Sequence, residues 1–156
     1  MTKILVQKDL VVLDLRAESK DEVLRKLGSL MINKGYAKEG YIEALIEREK
    51  EFPTGLVSID EIGIAIPHTD AHYVNNSAIA VGLLENIVPF GLMGGMDNDL
   101  VNVEIVFLLA INNPCEQLNL LQNLIGMFQK RNTLKKIKEA ENKGQIVSIL
   151  NKELIK

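Results

Sequence analysis

Gly63-Ile-Ala-Ile-Pro67-His68-Thr69-Asp70 is an apolar run that ends on a proline and passes the chain directly to a histidine. Ile62 extends the run backwards, and its near-continuous apolar character fits a strand covered on both faces. Strand ends and the loops after them are where scaffolds present reactive groups. His68 is therefore expected to be rigid at its base and exposed at its tip. A neutral imidazole is a competent nucleophile at neutral pH, because its unperturbed pKa is about 6.5. Two readings stay open from the local pattern: a reactive histidine, or a loop histidine with no role.

Further along the chain the same β-rich pattern returns. Ala78-Ile-Ala-Val-Gly-Leu83 and Val101-Asn-Val-Glu-Ile-Val-Phe-Leu-Leu-Ala-Ile111 are strand-like, separated by turn residues that include Gly94-Gly95 and Asp97-Asn98. Towards the amino terminus, Leu10 to Leu15 is a short strand. Ser19-Lys-Asp-Glu22 then forms a capping box. Val23, Leu24, Leu27, Leu30 and Met31 follow at helical spacing, and Gly35 is placed to end that helix. A second helix is expected from about Lys38, with Tyr41, Ile42, Leu45 and Ile46 as its buried stripe and Pro53 as its stop.

Beyond the strands, Asn113 caps a helix with Pro114 in its first position, and Leu118, Leu121, Leu124, Ile125 and Phe128 mark its apolar face. Thr133 starts a shorter helix through Ile137 and Ala140. Gly144 breaks it, and Ile146 to Leu154 is the last helix. No repeat, low-complexity tract or linker interrupts the chain. The fold class is α/β: a mixed β-sheet sandwiched between helices, one domain over residues 1–156.

Composition excludes several functions. The 156 residues carry 18 Lys and Arg against 21 Asp and Glu, a net charge of −3, which argues against an electrostatic nucleic-acid binder. One cysteine excludes an internal disulfide framework and a multi-cysteine metal site, and two histidines, His68 and His72, bound any imidazole chemistry. Met1 to Val6 is followed at once by Gln7, Lys8 and Asp9, so no signal peptide is expected, and the apolar run Ile105 to Ile111 is far short of the ~20 residues of a membrane span. A soluble cytoplasmic protein is the expectation.

Four other sites invite a chemical reading. Arg48 closes a helix beside Pro53-Thr54-Gly55, a corner that could take a phosphate through a guanidinium fork and a hydroxyl, unless Arg48 pairs with Glu47, Glu49 or Glu51. The Asn112-Asn113-Pro114-Cys115-Glu116-Gln117 joint offers a helix N-terminus whose free amides suit an anion, with Gln117 as a neutral donor, or it is a plain cap. His68, Asp70 and His72 are close enough in sequence for a small metal site, although His-Thr replaces the His-Glu of the zinc-protease motif. Cys115 has no base partner in sequence, and the cluster Lys135-Lys136-x-Lys138, balanced by Glu139 and Glu141, reads as a solvated helix face. No Walker motif follows the glycines.

In their order along the chain, Arg48…Pro53-Thr54-Gly55-Leu56, Gly63-Ile-Ala-Ile-Pro67-His68, Phe90…Met93-Gly94, Val106-Phe-Leu-Leu-Ala110 and Gln117-Leu-Asn-Leu-Leu121 resemble the EIIA components of the bacterial sugar phosphotransferase system, fructose/mannitol superfamily. The resemblance is greatest to the galactitol-type branch. It implies that phospho-HPr gives a phosphoryl group to His68, on Nε2 as in the family, and that His68 passes it to a cysteine of a cognate EIIB. The sugar or hexitol is then taken up through the membrane EIIC. Arg48 would neutralise the phosphoryl oxygens, Thr54 would contact them or shape the turn, and Gln117 would stand where mannitol- and fructose-type members carry a second histidine. Gln can donate a hydrogen bond but cannot change charge near neutral pH. The resemblance implies no nucleotide, metal or other cofactor. A regulatory EIIA-like protein, in which phosphorylation of His68 controls partner binding, is the alternative.

Overall fold

The computed structural model describes residues 6–154; the expectation drawn from the first residues therefore lies, through residue 5, outside them. The chain runs β1 (Val11–Leu15), α1 (Lys20–Asn33), α2 (Tyr41–Glu51), β2 (Gly55–Val57), β3 (Gly63–Ala65), β4 (Ala78–Gly91), β5 (Leu100–Ala110), α3 (Pro114–Phe128), α4 (Thr133–Glu139) and α5 (Lys143–Leu154). The strands form one mixed sheet in the order β1-β4-β5-β3-β2. β1 is parallel to β4 and β3 to β5, whereas β4 with β5 and β2 with β3 are antiparallel.

Helices cover both faces, as the sequence implies. Successive strand residues point to opposite sides. Val106, Leu108 and Ala110 thus join α1 and α2 through Leu24, Leu27, Met31, Tyr41 and Leu45. Ile105, Phe107 and Leu109 join α3, α4 and α5 through Leu124, Phe128, Ile137 and Leu150. Burial on both faces is why these strands are apolar without a break. Among the described residues, no helix is long and apolar enough to cross a membrane.

Local signals account for most boundaries. Ser19 Oγ accepts the Glu22 N–H at 3.2 Å, while the Glu22 carboxylate reaches one residue further back than a reciprocal box, to the Glu18 N–H. α1 ends at Asn33, with Gly35 at φ +84°. α2 starts three residues later than expected, because Gly40 stands at φ +91°, outside helical geometry, while the Lys38 N–H bonds to the Tyr73 carbonyl at 2.8 Å. Gly63 has no room for a side chain: a Cβ there would stand 2.0 Å from the Asn102 carbonyl oxygen, so glycine lets β3 close onto β5.

Four expectations are corrected. Residues 55–57 form a short edge strand as well as a turn, and three residues are too few to show a period. β4 continues past Leu83 to Gly91, through a register shift between Leu83 and Val88. Its β1 partner stops at Leu84, so Pro89 lies on a free edge. Leu118 is 57% exposed; Leu124 and Phe128 are buried as expected, and Leu120 and Met127 join them. Gly144 lies inside the first turn of α5; the break falls before it, where Asn142 Oδ1 accepts the Gln145 N–H at 3.0 Å.

One consequence places the site. β3 and β5 are parallel, so their carboxyl ends share one edge, and there β2 begins at Gly55 opposite Ala65. The end of α2, the start of β2, the segment after β3 and the start of α3 converge on that edge.

Candidate functional site

His68 follows β3 by three residues. The pairing with β5 continues beyond the strand, because the Pro67 carbonyl accepts the Leu109 N–H at 3.0 Å. The base of His68 is thus tied to β5. Its tip is not the open one expected, since the residue is only 9% exposed. His68 Nδ1 lies 2.8 Å from the Ile66 carbonyl oxygen. A carbonyl only accepts, so Nδ1 carries the proton and the neutral ring keeps its lone pair on Nε2. Burial pushes the imidazole pKa below its usual value; the Ile66 hydrogen bond opposes this and the Arg48 charge adds to it. The ring is thereby held as the neutral, Nδ1–H tautomer.

Arg48 is half-buried on α2, with its guanidinium 5.1 Å from the centre of the Phe52 ring. Among the described residues it makes no ion pair, and its buried Nε has no hydrogen-bond partner. The pairing with Glu47, Glu49 or Glu51 that the sequence left open is not formed. Glu47 and Glu51 are exposed, and Glu49 turns inward to Thr54. Arg48 therefore brings an uncompensated cation, with donors unused, towards His68.

Thr54 is 3% exposed, and its hydroxyl is committed on both sides. Oγ1 donates to Glu49 Oε1 at 2.5 Å and accepts the Ile66 N–H at 3.2 Å, while the Thr54 N–H donates to Glu49 Oε2 at 2.7 Å. A hydroxyl has one proton, and here Glu49 receives it. Of the two roles expected of Thr54, direct contact with a phosphoryl oxygen is unavailable in this arrangement; shaping the turn is what its bonds do.

Glu49 is the residue that sequence reading passed over. It is 2% exposed; burial pushes its carboxyl pKa up, and the two Thr54 hydrogen bonds oppose that. The signal was its spacing, since Tyr41, Leu45 and Glu49 fall at i, i+4 and i+8, on the buried stripe of α2.

Gln117 lies in the first turn of α3, half-buried, with Oε1 buried and unpartnered. A half-turn of the amide presents its NH2 at the same place, which makes the group a donor to an incoming anion. The backbone there is closed: of the two readings the sequence left open, the plain cap is the one formed. Asn113 Oδ1 accepts the Cys115 and Glu116 N–H groups at 2.9 and 3.1 Å, the Asn113 carbonyl accepts the Gln117 N–H at 3.0 Å, and Pro114 has none. The cap uses the amides that an anion would need, leaving only side chains to bind one.

His72 is exposed on the short 3-10 turn Ala71–Tyr73, edge-on to Tyr73 with ring centres 5.2 Å apart. Among the described residues, no three His, Cys, Asp or Glu side chains gather as a metal site would require. Cys115 is exposed. At this end of the sheet stand an imidazole whose neutral form carries its proton on Nδ1 and an unpaired guanidinium whose charge acts on it, with an unpartnered amide at the start of α3. That set can take an electrophile on nitrogen and neutralise oxyanions attached to it.

Comparison with known proteins shows the family. Residues 4–153 match the family described as phosphoenolpyruvate-dependent sugar phosphotransferase system, EIIA 2. The galactitol-specific EIIA component of Escherichia coli K12 is 38% identical over 130 residues, 83% of this chain and 81% of that one. The mannitol-specific phosphotransferase enzyme IIA component of Geobacillus stearothermophilus is 29% identical over 154 residues, 97% and 98% of the two chains. Among solved structures, the complex of enzyme IIAMTL and phosphorylated enzyme IIBMTL from Escherichia coli contains the same fold, with a TM-score of 0.76 at 21% identity over 96% of this chain and 99% of that one. The chain belongs to the EIIA type 2 family of the phosphoenolpyruvate-dependent sugar phosphotransferase system.

Proposed function

We propose that this chain is a cytoplasmic phosphocarrier, a single EIIA domain over residues 1–156, and that His68 Nε2 carries the phosphoryl group. The observation that supports this most is the 2.8 Å contact between His68 Nδ1 and the Ile66 carbonyl, which leaves Nε2 as the nucleophile. In the first step the Nε2 lone pair attacks phosphorus of phospho-HPr. The new N–P bond forms as the old one breaks, and its electron pair returns to the donor imidazole. In the second step the thiolate of a cysteine on the cognate EIIB attacks the same phosphorus, and the Nε2–P pair returns to His68. Little covalent help is needed beyond in-line approach and charge neutralisation, the role of Arg48, with Gln117 as a neutral donor. No nucleotide or metal takes part. The sugar itself is handled by the membrane EIIC; the galactitol-specific relative favours a hexitol.

The test is one mixture of phosphoenolpyruvate, enzyme I, HPr and the purified chain. A mass gain of one phosphoryl group, acid-labile and base-stable, is expected; it is lost in His68→Ala and kept in His72→Ala. An unlabelled wild-type chain refutes the proposal. Adding EIIB, EIIC and sugar then drains the label from a transport component, whereas a regulatory protein would keep it.

A further inference from the structure

Among the described residues the His68 ring makes one hydrogen bond, to the Ile66 carbonyl oxygen, so its tautomer follows from how residue 66 is held. β3 ends at Ala65, so Ile66 is past the regular strand. Its N–H is satisfied by a side chain, Thr54 Oγ1 at 3.2 Å. With Glu49 ionised, the polarity of every bond that follows is set. The Ile66 N–H can only donate, so Thr54 Oγ1 accepts there and gives its one proton to Glu49 Oε1 at 2.5 Å; the Thr54 N–H donates to Oε2 at 2.7 Å. Both carboxylate oxygens then accept, and the two Thr54 hydrogen bonds favour the ionised form against its burial. On the other side of residue 66, the carbonyl accepts the His68 Nδ1 proton.

Burying a carboxylate is costly, and an apolar side chain at position 49 would continue the α2 stripe at no such cost. Among the described residues no cation lies at ion-pair distance from Glu49. Its two hydrogen bonds both go to Thr54. We propose that Glu49 and Thr54 are positioning residues. The carboxylate fixes the Thr54 hydroxyl with its lone pair on the Ile66 N–H, and this holds the Ile66 carbonyl against His68 Nδ1. The histidine tautomer is thus set from α2, through a hydroxyl and a peptide, without either side chain touching the phosphoryl group. The inference rests on His68 being the phosphoryl acceptor and adds the reason its Nε2 is the free nitrogen.

The test uses the full chain with 15N-labelled histidine, at a pH where the imidazole is neutral. Wild type and Thr54→Ser, which keeps the hydroxyl, are expected to show the Nδ1–H tautomer of His68 and similar single-turnover transfer from phospho-HPr. Thr54→Val is expected to move the His68 signals towards a mixture of tautomers and to slow transfer on the order of ten- to a hundredfold, the scale of a small misplacement at a reacting group. Glu49→Gln should shift both readouts in the same direction by less, and it decides the matter where Thr54→Val does not fold. Unchanged His68 signals in the folded variants overturn the proposal, whether or not transfer slows, because slowing alone is what a merely structural turn would give. The imidazole signals need no phosphoryl transfer, so failure of the carrier reading and failure of the positioning role are separate outcomes.

Discussion

In the proposed carrier, His68 can act as a nucleophile only while Nε2 keeps its lone pair, and its neighbours act on that condition in opposite senses. Burial and the Arg48 charge disfavour the imidazolium, the Ile66 carbonyl favours it, and burial is the largest, so the folded pKa lies below the ordinary 6.5. The accepting form therefore persists to lower pH than in a free histidine. An NMR titration of His68 should have its midpoint below 6.5, and the acid limb of the transfer rate should follow the same midpoint; a midpoint at or above 6.5 contradicts the burial argument. The shift also has a sign for stability. As pH falls through the window below 6.5, the unfolded chain takes up this proton before the folded one, so stability drops there and the contribution is complete above it. His68→Gln should remove that slope from a series of denaturant melts. Arg48 is the second residue-scale case. With no ion pair and an unpartnered Nε, it contributes little to the fold beyond its contact with Phe52. Arg48→Ala should slow transfer by about a hundredfold, as loss of one charge-stabilising donor does, and should change unfolding free energy by no more than ~1 kcal/mol. Arg48→Lys keeps the charge without the planar fork and should fall between. Unchanged single-turnover rates in Arg48→Ala would remove the charge role.

At the scale of elements, α2 is fastened to the sheet edge from both ends. Its last turns reach Thr54 through Glu49, and its first residue, Tyr41, donates its hydroxyl to the Leu109 carbonyl at 2.8 Å. Leu109 in turn gives its N–H to Pro67, so the helix, β5 and the histidine segment meet at one residue. Tyr41→Phe keeps the ring and leaves the buried Leu109 carbonyl without its partner. It should cost about 1–3 kcal/mol in urea unfolding, and a loss under about 0.5 kcal/mol would show that the bond is not holding the joint. Elements of this kind were legible in sequence where a local signal existed: Ser19 and Asn113 as caps, Pro53 as a stop, and the Ile62 to Ile66 run ending at His68. They were not legible where the deciding bond is between residues far apart. The Lys38 N–H bonds to the Tyr73 carbonyl across the chain, and β4 runs on past Leu84, where its pairing with β1 ends, by pairing with β5. The site divides in the same way. His68 and Arg48 could be chosen by residue type and position. Glu49 looks like one more helix-surface carboxylate until Thr54 and Ile66 are brought beside it, and the closure of the α3 N-terminus depends on which way the Asn113 side chain turns.

At the scale of the molecule, the site draws on both layers. Arg48 and Glu49 come from the layer of α1 and α2, Gln117 from the layer of α3, and His68 from the sheet between them. These groups share an edge only while both helical layers stay docked, so the stability of the site is that of the whole fold. One cooperative unfolding transition is expected, the same by far-UV and tyrosine probes. Native-state hydrogen exchange resolves the point further. Amides of the central strands, such as Val81 in β4 and Phe107 in β5, should open only with global unfolding, while the edge strand β2 opens at lower free energy. The deciding amide is Leu109, whose N–H bonds to Pro67 beyond the last paired residue of β3. If the histidine segment belongs to the same cooperative unit as the sheet, the exchange free energy of Leu109 and its denaturant slope will coincide with those of Phe107. A separate, lower isotherm for Leu109 would place His68 on a segment that opens by itself. A ring carried on such a segment would not hold one tautomer, and the rigid base that makes Nε2 a ready nucleophile would be lost.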